Sequence, residues 1–479
     1  MTATDVRTVD VIVIGGGPVG ENAAGRTAAA GLETVLVESE LYGGECSYWA
    51  CMPSKALLRP LEALAGARRV PGAAQAVTGS IDVDAVLARR TSFTSDWDDS
   101  SQAEWVEGAG ILALRGHGRI SGERRVTVSP TPLSDLDEEV ALQARHAVIV
   151  ATGSVPAEPP IEGLATTGHW GSREATSADR IPERLIVLGG GVVGADMAQA
   201  FAGLGSRVTL VAGQRLLARM EDFAGELVAA SLREQGVDLR MGVQATAVED
   251  TDPGVRVRLE DGSMLGADEL LVATGRRPAT DDIGADTLGL TPGDALAVDD
   301  QGTVEGVADG WLYAVGDVNG RAPLTHQGKH QARIVSSVII ARAAGDAVDT
   351  GAWSAHSLVA DHVAVPQVIF TDPQATSVGR TAAQARAEGI RTRVIDLDIA
   401  VAGSAVHADG YTGKARFVVD EDAGVLVGVT MVGQDVAELI HSATVAVVGE
   451  VPVSRLWHAV PSFPTISEIW LRFGESYGL

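Results

Sequence analysis

Cysteine is almost missing from this chain: 479 residues contain two, Cys46 and Cys51. So few exclude a small secreted scaffold stapled by several disulfides. Positive charge is also short, since Lys+Arg 37 against Asp+Glu 63 gives 37 − 63 = −26. That balance repels nucleic acid and anionic membranes. An anionic cofactor must therefore be held by loop amides and helix ends. No apolar run is long enough to span a membrane, and the polar stretch Met1 to Asp10 carries no signal-peptide core. No low-complexity linker and no metal-ligand cluster stands out. The expectation is a cytoplasmic protein of about three domains without nucleic-acid, membrane or metal partners. With 46% hydrophobic residues there is ample material for real cores.

The two cysteines lie in Gly43-Gly44-Glu45-Cys46-Ser47-Tyr48-Trp49-Ala50-Cys51-Met52-Pro53-Ser54-Lys55, five positions apart. Two cysteines dropped at random fall that close roughly 2% of the time, so redox chemistry is worth testing. On a regular helix, residues i and i+5 have Cα atoms about 8.6 Å apart. A disulfide usually wants less than about 7 Å, so the pair closes only on an irregular segment. Gly43, Gly44 and Pro53 supply the punctuation. Pro53 suits the first turn of a helix running on through Lys55, which puts Cys51 at a helix N-terminus, where the dipole lowers a thiol pKa. Two readings stand on this stretch alone: a redox-active pair, or two buried inert thiols.

Nucleotide chemistry is signalled more strongly. Val11 to Ile14 reads as a strand buried on both faces. It is followed by Gly15-Gly16-Gly17-Pro18-Val19-Gly20, an Ala-rich helical stretch to Ala30, and a second strand, Thr34 to Val37, closed by Glu38. Gly15 allows the tight turn, Gly17 lets the backbone approach a pyrophosphate and Gly20 permits close helix–strand packing. Glu38, 38 − 20 = 18 residues after the last glycine, can accept from a ribose hydroxyl.

The unit recurs. Leu185 to Leu188 runs into Gly189-Gly190-Gly191-Val192-Val193-Gly194, 189 − 15 = 174 residues on. Each fingerprint is answered by an Ala-Thr-Gly after an apolar strand, at Ala151-Thr152-Gly153 and Ala273-Thr274-Gly275. The first spacing is 151 − 15 = 136 residues and the second 273 − 189 = 84. The extra 136 − 84 = 52 residues match the cysteine segment plus the helical stretch through Trp105. Two nested dinucleotide folds are implied, with the cysteines inserted in the first.

The second copy lacks the acid. Ala212 stands where a ribose-binding carboxylate would, with Arg215 and Arg219 beyond it, a pattern favouring a 2′-phosphate and hence NADP(H) over NAD(H). Further on, Trp311 to Val315 is a strand running into the turn Gly316-Asp317, with Leu324-Thr325-His326 soon after. From about Val348, alternating strands at Gln367–Phe370, Ala415–Val419 and Val425–Val432 suggest an α+β domain with an antiparallel sheet. Helical patterns at Val436–Val448 and Pro452–His458 precede Pro461 to Glu468.

Together, the two fingerprints, the paired Ala-Thr-Gly turns, the Gly-Asp turn and Cys-x4-Cys-x-Pro-Ser-Lys resemble the class I pyridine nucleotide-disulfide oxidoreductases over almost the whole chain. Dihydrolipoamide dehydrogenase, mercuric reductase and glutathione reductase are the members nearest in pattern. The resemblance implies an FAD-binding domain (1–160 and 281–347) split around an NAD(P)H-binding domain (161–280). A C-terminal α+β domain (348–479) would make a homodimer. It implies FAD binding by Gly15, Gly17, Gly20, Glu38, Gly153 and Asp317 with Gly316. Lys55 would lie by the flavin ring. Gly189, Gly191, Gly194 and Gly275 would serve the nicotinamide cofactor, and Asp196 stands where the family usually has a glutamate. Cys51 matches the cysteine in charge-transfer contact with flavin, and Cys46 the one that exchanges with substrate.

Two departures bear on function. Disulfide reductases of this family end in His-Pro-Thr-x-x-Glu, whose histidine is a general acid–base acting across the dimer interface. Here the segment is Phe463-Pro464-Thr465-Ile466-Ser467-Glu468. Glu468 is retained, but phenylalanine carries no proton, and loss of a positioned acid–base group costs about 10²–10⁴ in rate. His458, five residues earlier, is either a substitute or a capped helix-end residue. Second, Tyr48 and Trp49 put aromatic bulk between the cysteines, either narrowing the pocket or offering a stacking face. The chain also lacks the C-terminal cysteines that mercuric reductases use to hand over metal.

The leading expectation is an FAD enzyme that oxidises NAD(P)H through Cys46 and Cys51, with a small quinone-like acceptor preferred over a bulky disulfide. Its competitors are a disulfide reductase protonated from His458 or solvent, a transhydrogenase, and a non-catalytic flavoprotein interaction subunit.

Overall fold

The structure, a computed structural model, describes residues 6–479; Met1 to Asp5 of the polar N-terminal segment lie outside the described residues. By contact density the chain divides into two compact units. One takes Met1–Pro53, Thr91–Ala157 and Arg276–His362; the other takes Ser54–Arg90, Glu158–Gly275 and Val363–Leu479.

The first unit is built on a seven-stranded sheet. Its strands run Leu112–Arg115, Thr34–Glu38, Arg7–Ile14, Val140–Val150, Arg125–Ser129, His117–Gly122, and Leu312–Ala314 joins on Val140–Val150. The long central strand Val140–Val150 explains the arrangement. Its first residues pair antiparallel with Arg125–Ser129, while Val148 to Val150 pair parallel with Leu312–Ala314. Arg7–Ile14 lies parallel between it and Thr34–Glu38. Val9, Val11, Ile12 and Val13 are fully buried, the fate expected of a β-branched run covered on both faces. Each such side chain contributes about 1.5–3 kcal/mol of burial. Helix Pro18–Ala29 follows the first strand and packs on helix Thr325–Ala344.

The second unit repeats the nucleotide fold as a four-stranded parallel sheet, ordered Asp238–Met241, Arg207–Ala212, Arg184–Leu188, Glu269–Val272. A three-stranded antiparallel sheet (Ala245–Asp250, Val255–Leu259, Met264–Ala267) stands beside it. Residues 54–90 group here, and one cause is packing: a Cβ on Gly203 would meet Leu61 Cδ1 at 2.5 Å. Two nested dinucleotide folds and a C-terminal α+β domain thus make up the chain. That last domain has a five-stranded antiparallel sheet, Gln367–Ile369, Gln374–Gly379, Val425–Gly433, Lys414–Asp420, Thr392–Asp398. Helix Val436–Val448 covers it, and Phe417 stacks on Phe473 at 4.4 Å between ring centres. Among the described residues, no helix is long and apolar enough to cross a membrane.

Candidate active site

The two glycine loops are built alike. Gly15 has φ +106°, and a Cβ there would lie 2.4 Å from the Ala151 carbonyl oxygen. Gly189 has φ +123°, and its Cβ would lie 2.2 Å from the Ala273 oxygen. A Cβ on Gly20 would strike the Gly15 oxygen at 1.8 Å, and one on Gly194 the Gly189 oxygen at 1.9 Å. These four glycines are forced by packing. Gly17 and Gly191 differ: a Cβ on Gly17 meets only Gly44 Cα at 4.0 Å, and on Gly191 nothing within 4 Å. Gly191 faces open space and Gly17 only a distant neighbour, each at a helix N-terminus, which leaves room for an anionic group there.

Glu38 is buried at the end of its strand, and its carboxylate accepts from the Gly16 amide at 2.6 Å and the Glu40 amide at 2.7 Å. Burial raises its pKa despite these bonds. Asp317 is half-buried in the turn after Leu312–Ala314 and accepts from Ser154 Oγ at 2.6 Å. Gly316 has φ +81° and donates its N–H to buried Gln331 at 2.7 Å. Gly153 and Gly275 both have positive φ with open space where a Cβ would be. This donor set fits FAD in the first fold: an open amide cradle, a carboxylate at the ribose position and a second carboxylate after the Gly-Asp turn.

The cysteines lie on a broken helix. Helix Gly44–Tyr48 ends at Trp49, whose φ of −134° leaves helical space, and a new helix, Cys51–Arg68, starts at Cys51. This break supplies the irregularity that the i, i+5 spacing demands. Neither is in a disulfide; both are half-buried and hydrogen bonded to each other. That bond and burial push the Cys46 pKa well up, while the Thr325 hydroxyl and the Lys329 charge oppose the rise. Thr325 Oγ1 donates to Cys46 Sγ at 3.3 Å and lies 3.5 Å from Cys51 Sγ. Arg276 ties the segment down: its guanidinium reaches Glu45 at 3.4 Å and Ser154 Oγ at 2.8 Å. Of the two aromatics, Tyr48 is buried and only Trp49 is half-exposed.

Lys55, one turn on from Cys51, pairs with Asp196 at 3.0 Å, and the other Asp196 oxygen accepts from the Phe370 amide at 3.1 Å. Ala212, at the missing acid position, is buried. Arg215 is exposed but folds back on its own loop, donating to the carbonyls of Leu217, Ala218 and Met220 and pairing with Asp222 at 2.9 Å. Arg219 is exposed. At the C-terminus, Phe463 is 77% exposed, while Glu468 is buried and accepts from the Gly403 amide at 3.0 Å. Phe463 and Glu468 line a small cavity of about 140 Å³ with Leu456, Trp457, Val460 and Trp470. His458 is exposed. No cluster of three or more metal-ligating side chains occurs among the described residues.

Thr325, Ser154 and Arg276 were not singled out as site residues by sequence. Yet each stood by a motif: Ser154 and Arg276 directly follow the two Ala-Thr-Gly turns, and Thr325 lies just beyond the Gly-Asp turn.

Residues 9–334 match the family described as pyridine nucleotide-disulphide oxidoreductase, and residues 365–472 match its dimerisation domain. Over 494 aligned residues the chain is 31% identical to a dihydrolipoyl dehydrogenase of Haloferax volcanii, covering 99% of this chain and 98% of that one. It is 34% identical over 458 residues to a mercuric reductase of Shigella flexneri, covering 93% and 77%. Among solved structures, LpdA of Mycobacterium tuberculosis superimposes with a TM-score of 0.81 at 25% identity, over 98% of this chain and 100% of that one. The flavoprotein disulfide reductase RclA of Escherichia coli gives 0.83 at 24% identity, over 98% and 99%, a likeness of fold.

Proposed function

Since this chain belongs to the pyridine nucleotide-disulfide oxidoreductases, FAD-dependent enzymes, we propose that it oxidises NADPH and passes the electrons through Cys46 and Cys51 to a small quinone-like acceptor. The first fold would hold FAD through Gly15, Gly17, Gly20, Glu38, Gly153, Gly316 and Asp317. When bound, FAD supplies a ring that takes hydride and returns an electron pair. The second fold, through Gly189, Gly191, Gly194 and Gly275, would hold the nicotinamide nucleotide. The preference for NADPH rests on the absent carboxylate at Ala212 and on exposed Arg219, since the Arg215 guanidinium is already engaged. Cys51, at the start of its helix, is the thiol served by the helix dipole, and Cys46 is the one that would meet the acceptor.

The observation that carries the choice of acceptor is Phe463. A bulky disulfide releases a thiolate that needs a positioned proton donor. Phe463 donates none, and the neighbouring Glu468 accepts the Gly403 amide through one of its oxygens. Disulfide reduction protonated from His458, which is exposed, is the competing reading. The dimerisation domain supports a homodimer.

The test is steady-state turnover with NADPH and NADH against a benzoquinone, lipoamide and glutathione disulfide. Quinone turnover at least about tenfold above both disulfides, and lost in Cys46→Ala, is expected. Disulfide turnover matching that of quinone would overturn the acceptor reading, and NADH outperforming NADPH would overturn the nucleotide preference.

A further inference from the structure

Asp361, in the short helix Ala360–Val363, keeps its whole side chain out of solvent. A buried carboxylate is costly unless its oxygens are met, so what it holds is worth tracing. Each oxygen accepts one side-chain amide: Oδ1 from Gln327 Nε2 at 3.0 Å and Oδ2 from Gln331 Nε2 at 2.9 Å. Arg321 brings a positive charge, its Nε 3.6 Å from Oδ2, while its other end pairs with Asp300 at 2.6 Å. Burial raises the Asp361 pKa, opposed by the two amides and by the charges of Arg321 and His330.

These contacts lead to the Gly-Asp turn. Gln327 and Gln331 stand one turn apart on the same face of helix Thr325–Ala344. Gly328, between them, lets that helix close on the turn, since a Cβ there would lie 3.1 Å from Gly316 Cα. The Gln331 oxygen accepts from the Gly316 amide at 2.7 Å and from Asn319 Nδ2 at 2.9 Å. A backbone N–H can only donate, so the Gln331 atom facing Gly316 must be the oxygen, and its NH2 is left to face Asp361. Asn319 also donates to the Ala314 carbonyl at 3.1 Å and accepts from the Arg321 amide at 3.0 Å, which closes the turn on itself. Gly316, Asn319, Gln327 and Gln331 are all buried. Directly after Gly316 comes Asp317, half-buried, with its carboxylate on Ser154 Oγ at 2.6 Å.

We propose that Asp361 is a positioning residue for flavin binding: by holding the Gln331 amide it locks the Gly316 turn, and so aims the Asp317 carboxylate at the ribityl hydroxyls of FAD. The inference rests on the reading above that Asp317 serves FAD. Without an acceptor at position 361 the Gln331 NH2 is buried unpaired, and the side-chain amide turns over to seek another partner. That sets its NH2 against the Gly316 N–H and the Asn319 NH2, donor against donor, and frees the turn. The effect is local to one end of the flavin site. Glu38, at the ribose position of the other end, takes its hydrogen bonds from the Gly16 and Glu40 amides instead.

The test titrates the full chain, stripped of flavin, with FAD and separately with ADP, which has the adenosine diphosphate end and no ribityl chain. Asp361→Leu should weaken FAD binding about tenfold and leave ADP binding within about twofold of wild type. Asp361→Asn still offers Gln331 an acceptor and should keep FAD binding within about threefold. Asp317→Ala should weaken FAD binding at least as much as Asp361→Leu, and the double variant should bind no more weakly than Asp317→Ala alone, because both act through one carboxylate. Gln331→Met leaves Asp361 beside Arg321 and should show the same FAD-specific loss, which carries the test where Asp361→Leu does not fold. FAD binding unchanged in either variant, an equal loss for ADP, an Asp361→Asn loss as large as that of Asp361→Leu, or additive losses in the double variant overturns the proposal. The reading beneath it fails separately, if Asp317→Ala binds FAD as the wild type does.

Discussion

Lys55 Nζ and Asp196 Oδ2 lie 3.0 Å apart in an unequal pair, the carboxylate 3% exposed and the ammonium 34%. The inequality sets which partner is harder to lose. Lys55→Met strands a buried charge, whereas Asp196→Asn leaves an ammonium that water can reach and an amide oxygen that still accepts from Phe370. Lys55→Met should therefore cost about 2–3 kcal/mol, below the range for fully buried pairs because Lys55 is partly solvated, and Asp196→Asn about 1 kcal/mol. Urea unfolding of the FAD-loaded protein measures both. Equal costs, or a larger one for Asp196→Asn, would mean that the unequal burial of the two partners does not decide which is harder to lose.

The glycines divide into those that hold the fold and those that leave room. Gly191 sits in extended backbone at φ −84°, with nothing within 4 Å of an added Cβ. Gly194 would press its Cβ to 1.9 Å from the Gly189 oxygen. Gly191→Ala should leave unfolding within about 0.5 kcal/mol of wild type yet weaken NADPH binding at least about tenfold. Gly194→Ala should cost about 1–3 kcal/mol in stability before any ligand is added. Fluorescence titration and thermal unfolding separate the two. NADPH binding unchanged in Gly191→Ala would show that this loop does not approach the pyrophosphate.

What could be read in the sequence was local. Gly15 and Gly189 announce their turns because only a bare backbone tolerates positive φ against a carbonyl, and Glu38 follows at strand distance. Cys46 and Cys51 betray themselves by spacing. The rest depends on contacts that no local pattern encodes. Thr325 reaches Cys46 across 279 positions, a meeting made by packing of helix Thr325–Ala344. Arg215 reads as a phosphate ligand in the chain, yet its loop curls so that three carbonyls capture the guanidinium. Glu468 matches its family motif, but the Gly403 amide that occupies it lies 65 positions away.

Phe463 offers the sharpest separation between quinone and disulfide chemistry. It is 77% exposed, so a histidine there replaces no packed core and should fold normally. Imidazole titrates near pH 6.5, which places a proton donor where the family has one. If a missing acid–base group is what restricts this enzyme, Phe463→His should raise lipoamide turnover by about 10² and add a pH limb near 6.5, the lower end of what such groups supply. The low estimate allows for Glu468 sharing its acceptor capacity with the Gly403 amide. Quinone turnover, which on this reading does not draw on position 463, should change by less than about threefold. A rise in quinone turnover as large as that for lipoamide would mean that both acceptors wait on the same proton, and the distinction drawn from Phe463 would fail.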